Sequence, residues 1–152
     1  MLRKLVQTDD DAGMLFVRLA LGIVMFPHGA QKMLGWFGGQ GLSATMTGMT
    51  GMGLPAFIVF MVIFCEFFGA LSLITGFLGR LGALGILSVM VGAIFTVHKN
   101  FGFFMNWMGT QKGEGYEYHI LAIGIALAVL IRGSGSLSID RALSDKGGYY
   151  RR

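Results

Sequence analysis

The sequence predicts an all-α integral membrane protein, a bundle of four transmembrane helices with a short interfacial helix in its first outer loop. Three observations carry that prediction. Of the 152 residues 54% are hydrophobic and 13% charged, about half the ~25% charged share of a soluble domain. Mean hydropathy is +0.66. The charges are also unevenly placed, gathered in the first eleven residues, in the tail after Ile131 and at a few points between apolar blocks.

Crossing ~30 Å of hydrocarbon at 1.5 Å per residue takes roughly 20 residues, and four stretches approach that length. The first runs over 13–34, with Pro27, His28 and Lys32 making its outer end polar. Residues 35–54 are glycine-rich, and their small-residue middle, SATMTGMTGM, suits a short helix at the interface. Pro55 then opens a second span, 55–77, as a first-turn proline does, and Glu66 falls near its midpoint. The turn GFLGRLG separates it from a third span over 82–98. The loop that follows holds FGFFMNW, an aromatic cluster suited to the headgroup level. A fourth span, 117–131, has a short apolar core and needs Tyr116 and Tyr118 as an interfacial start. Gly133 stops it. In the tail, 132–152, Ser138 or Asp140 is placed to cap a short amphipathic helix. The whole chain reads as one domain.

Orientation follows from counting Lys and Arg on each side. Arg3, Lys4, Arg18, Arg80, Arg132, Arg141, Lys146, Arg151 and Arg152 fall on the side of the termini, nine residues against Lys32, Lys99 and Lys112 on the other. Both termini are therefore expected on the cytoplasmic side of the membrane. The net charge of +4 does not mark a nucleic-acid binder, because no basic patch with interleaved aromatics accompanies it. Cys65 is the single cysteine, which excludes a disulfide or a cysteine-based metal cluster within the chain. The opening residues do not read as a cleavable leader, since Asp9, Asp10 and Asp11 interrupt the basic region and Arg18 the apolar one.

Glu66 is the sharpest chemical signal. An ionised carboxylate at mid-membrane costs about 2.5–3.5 kcal/mol on insertion scales, so it needs a partner or a task. Depth counted from the helix ends puts Arg18 about one helical turn, ~5–8 Å, from Glu66, and predicts an ion pair between them. That pair is either a packing device or a proton-handling, quinone-facing site with Glu66 as its catalytic carboxylate. A second constellation lies at the outer helix ends, where His28, His98 and His119 fall on three different helices together with Lys32 and Glu117. Such a group can line a small-molecule pocket. No HxxxH pair joins the histidines, which counts against haem or metal, and plain interfacial histidines are the ordinary alternative. Met46, Met49 and Met52 repeat every third residue; thioether triplets bind Cu(I), but a packed face of an interfacial helix is far commoner.

Taken together, RLALGIVMFPHGAQKML with GGQGL, GLPAF leading into CEFFGALSLITGFLGRLGAL, and the closing RGSGSLSID resemble the DoxX family of bacterial inner-membrane proteins. The resemblance runs from about Leu15 to Asp140. It singles out Arg18, Gly29, Lys32, Glu66, Gly69, Gly133, Gly135, Ser138, Ile139 and Asp140 by position, with the glycines, Ser138 and Asp140 as structural residues. Ser134 stands where a proline is often found between the two tail glycines, a change expected to loosen a turn. The family takes its name from a subunit linked to an archaeal thiosulfate:quinone oxidoreductase, and some members are associated with redox-stress complexes. The resemblance therefore implies a membrane subunit of a quinone-linked oxidoreductase, with the bilayer and a protein partner around it. The alternatives are a structural or assembly protein without activity of its own, and a small transporter whose path a homo-oligomer lines.

Overall fold

A computed structural model describes residues 2–146 of the chain; Arg151 and Arg152, two of the charges counted above, lie outside the described residues. Every regular element among these is helical. A short α1 covers Leu2–Val6. Asp11 then accepts a hydrogen bond from the Met14 backbone N–H and starts α2, Ala12–Leu34, which ends where Gly35 turns left-handed. The interfacial helix forms as α3, Gly41–Gly51. Pro55 precedes α4, Ala56–Thr75, as its N-cap, one position before the helix proper. Next come α5, Gly79–Thr96, and a short 3-10 turn, His98–Phe101. The last two helices are α6, Glu117–Arg132, and α7, Ile139–Lys146.

Each expected span meets a helix within about three residues of its predicted ends. The largest difference is in α5, which starts at Gly79 rather than 82. The reason is local: the Asp140 carboxylate accepts from the Leu78 and Gly79 backbone N–H groups. It thereby caps the first turn of α5 from outside that helix. Three helices are long and apolar enough to cross a membrane, α2, α4 and α5; α6 is shorter, with 16 residues.

Packing runs in the cyclic order α2, α4, α5, α6 and back to α2. Leu21 and Met25 of α2, Ala70 and Leu73 of α4, Ile86 of α5, and Ala122 and Ala126 of α6 share one buried core. Outward faces carry exposed Phe16, Phe57, Phe95 and Ile131, an apolar exterior that suits hydrocarbon rather than water.

The register between α2 and α4 is set by a close approach. A Cβ on Gly29 would sit 2.5 Å from the Phe67 Cα, nearer than real side chains come, so only glycine lets the two backbones meet there. Gly22 repeats the approach one step along, against Leu73 and Ile74. The helices are antiparallel, so Gly29 is level with Glu66 and Phe67, and Arg18 is level with the far end of α4.

Candidate functional site

Two polar centres lie at opposite ends of this helix cluster. At the end where α1 and α7 meet, Arg18 is 1% exposed and donates only to backbone carbonyls. Its Nε bonds the Ser134 carbonyl (2.8 Å) and its Nη1 those of Leu73 and Ile74 (both 2.7 Å). Its Nη2 bonds those of Ser136 (3.3 Å) and Leu137 (2.8 Å). A guanidinium has five N–H groups, and all are used. Arg18 thus ties off the C-terminal carbonyls of α4, which have no partner within the helix, and binds the tail to them.

The tail motif is the other half of this lock. Ser138 donates to the Gly135 carbonyl and accepts from the Arg141 N–H. Asp140, 1% exposed, holds Leu78 in the left-handed region at φ 53, a conformation that costs on the order of 1–3 kcal/mol for a side-chain-bearing residue. Gly76 has φ 65, and a Cβ there would come within 2.3 Å of the Ser138 Cβ. Gly133 and Gly135 also have positive φ, and each packs against residues 7–15 too closely for a Cβ. Gly69 lies against the Gly82 carbonyl and fixes the α4–α5 crossing. Ser134 does not loosen the turn as expected. It is fully buried, and its hydroxyl donates to Asp140 at 2.6 Å, a bond that proline has no group to make.

At the opposite end, the predicted Arg18–Glu66 pair is replaced by Lys32–Glu66. The Gly29 contact explains the correction: Lys32 is three residues, ~4.5 Å, from Gly29 along α2, while Arg18 is eleven residues, ~16 Å, in the other direction. Counting depth from helix ends had ignored that stagger. The Glu66 side chain is 5% exposed and that of Lys32 31%, so the carboxylate is enclosed and the ammonium reaches toward the opening.

The pair borders a cleft of about 440 Å³ between α3, α4 and α5. Met49, Met52, Met61, Cys65, Ser88, Thr96 and His98 complete much of its wall. Of the methionine triplet, Met49 and Met52 face this cleft. His98 hydrogen-bonds the Glu114 carbonyl through Nδ1 at 2.8 Å. A carbonyl only accepts, so Nδ1 carries the proton and Nε2 is the acceptor of the neutral ring.

His119 packs against His98 with ring centroids 4.0 Å apart and planes tilted by 43°. It is 6% exposed, and its Nδ1 is buried without a hydrogen-bond partner. His28 does not join them; it is exposed on α2. Glu117 also turns elsewhere, accepting from the Met105 N–H at 2.9 Å and the Trp107 indole at 3.2 Å, and so orders the aromatic loop. Among the described residues no three His, Cys, Asp or Glu side chains are grouped to hold a metal ion. Sequence reasoning missed Met61, Cys65 and Ser88 as cleft residues. The spacing Cys65–Glu66 and the small-residue series Gly82, Gly85, Ser88 were the available signals.

This is an all-helical membrane protein with a part-buried ion pair beside a half-enclosed cleft. The DoxX family model matches residues 13–99, more than half of the chain, and the chain belongs to that family. The matched segment holds Arg18, Gly29, Lys32, Glu66, Gly69 and His98; the tail lock lies beyond it. No match is found among curated proteins or solved structures.

Proposed function

We propose that the chain is the membrane subunit of a quinone-linked oxidoreductase complex, a four-span bundle in the bacterial inner membrane with both termini cytoplasmic. The observation that carries the reading is the cleft itself. It is apolar over most of its wall, half-enclosed, and supplied at one end with an ammonium, a carboxylate and an imidazole. Ligand pockets commonly combine an apolar wall with a few convergent polar groups, and ionisable groups within membrane spans are functional by default. Orientation rests on the surplus of Lys and Arg at the end where α1 and α7 meet.

Oxidation of a quinol to a quinone releases two electrons and two protons. In this reading a redox centre on a partner protein takes up the electrons, and the cleft takes up the protons. Lys32 donates a hydrogen bond to one ring oxygen, and the Glu66 carboxylate and the His98 Nε2 accept the two hydroxyl protons. The test is binding of a benzoquinone analogue to the purified protein. Glu66→Gln is expected to weaken it about ten-fold, ~1.4 kcal/mol; unchanged affinity in a folded variant counts against the role.

A second reading draws on the Arg18 lock, whose donors are fully occupied by backbone. Here the polar residues serve assembly alone, and the tail offers a docking point for a partner. Glu66→Gln then lowers abundance in proportion to any redox phenotype.

A further inference from the structure

The cleft at Lys32 and Glu66 does not end at Cys65. A second, more apolar hollow of about 560 Å³ continues along α4 and α5 toward Thr75 and Leu78. Met61, Cys65, Gly85 and Ser88 line both hollows, so the two are one trough with a shared neck. From Met61 to Thr75 it follows fourteen residues of α4, ~21 Å, most of a ~30 Å hydrocarbon core. Its floor is made of small residues, Gly69, Ser72, Gly82 and Gly85, and its rims of Phe64, Phe68, Leu81 and Leu84. Those four rim side chains are each exposed, so the trough opens sideways to the surroundings of the bundle, not to either end.

We infer that this trough holds the single apolar chain of the same molecule whose headgroup sits at Lys32 and Glu66, a long-chain amphiphile that reaches the site sideways from the bilayer. The identity of its headgroup rests on the quinone reading above; the trough itself does not. The charge at the head end decides what class of molecule fits. Glu66 already neutralises Lys32, and among the described residues no arginine lines either hollow. A phosphate headgroup would find no net positive charge there, whereas a neutral carbonyl-bearing ring needs none. The trough is a single groove between α4 and α5, which takes one chain rather than two.

In lipid the chain gains nothing from leaving water, since the surroundings are equally apolar. What the trough supplies is close contact along one wall and alignment of the head with the ion pair.

Leu84 and Leu81 give the test its handle. Both are exposed on the rim and line the second hollow but not the cleft at Lys32 and Glu66. Leu84→Phe therefore narrows the trough without touching the headgroup cleft, and Leu81→Phe is a second block. The full chain in phosphatidylcholine nanodiscs is titrated with a chainless dimethoxy-benzoquinone and with its decyl derivative, read by tryptophan fluorescence. Both blocking variants should bind the decyl compound about ten-fold more weakly than wild type and the chainless one equally well, with Leu127→Phe, exposed on α6 and outside both hollows, behaving as wild type. Decyl affinity unchanged by either block, or an equal loss for both compounds, overturns the trough while leaving the headgroup site standing.

Mass spectrometry of co-purified lipid separates the remaining cases. If wild type ignores both quinones yet retains a single-chain amphiphile that Leu84→Phe releases, the trough stands and the quinone reading falls. A diacyl phospholipid released in its place overturns the single-chain assignment.

Discussion

At the end where α1 and α7 meet, Arg18 gives every N–H to a carbonyl and Asp140 receives two backbone N–H groups and a hydroxyl. At the other end Lys32 is part-exposed, His119 keeps an unpartnered buried nitrogen, and the ion pair faces a cleft. Both regions hold charge within apolar surroundings, yet one is closed and the other open. Buried polar groups are normally satisfied; Arg80 Nε at the closed end and His119 Nδ1 at the open end both lack a partner, so what sets the open end apart is the cleft beside its ion pair. The closed end is structure. The stagger set at Gly29 keeps Arg18 in it and puts Lys32 on Glu66.

The contrast breaks most visibly at Arg18. Replacing it with Ala orphans five carbonyls and the charge of Asp140, and should cost roughly 3–5 kcal/mol, the range for removing one member of a buried charged network. The check is thermal unfolding in detergent together with abundance in the membrane. Asp140→Asn comes next, at about 1–3 kcal/mol, because it keeps one acceptor while withdrawing the charge from the start of α5. Neither change should alter quinone-analogue affinity per folded molecule; a matching loss of affinity would dissolve the distinction between the two ends.

At the open end the order of effects reverses. Lys32→Met leaves an enclosed carboxylate alone and should lower stability more than Glu66→Gln, for which we expect roughly 1 kcal/mol because the part-exposed ammonium can turn toward water. The double variant should recover part of the Lys32→Met loss in a double-mutant cycle. Smallest of all is His98→Asn, within about 0.5 kcal/mol in stability but with weakened quinone-analogue binding. A large stability loss at His98 would move it into the structural class.

The spans were legible because apolar length alone selects them, and α2, α4 and α6 start within one residue of expectation. That Glu66 needs a partner was equally legible, from the cost of its charge. The identity of the partner was not. It depends on the stagger of two helices, which Gly29 sets by meeting Phe67, and a glycine in a span does not announce which backbone it will touch. The histidines show the same limit: shared depth is readable, but rotation about each helix axis decides that His98 meets His119 while His28 faces outward. Ser134 was misread for another reason. The family pattern suggested a turn, and the hydroxyl's bond to Asp140 exists only once the tail folds back on α5.

Arg18 and its partner Ser134 are separated by 116 positions. At ~5–20 residues per second of synthesis, the arginine waits roughly 6–25 s after it is made before the carbonyls of the tail exist. During that interval it sits in a membrane helix with at most the end of α4 to bond. The tail is thus made well after Arg18 and is what quiets that buried charge. A nascent chain halted before Gly133 would leave the Nε and Nη2 of that guanidinium without the carbonyls of Ser134, Ser136 and Leu137.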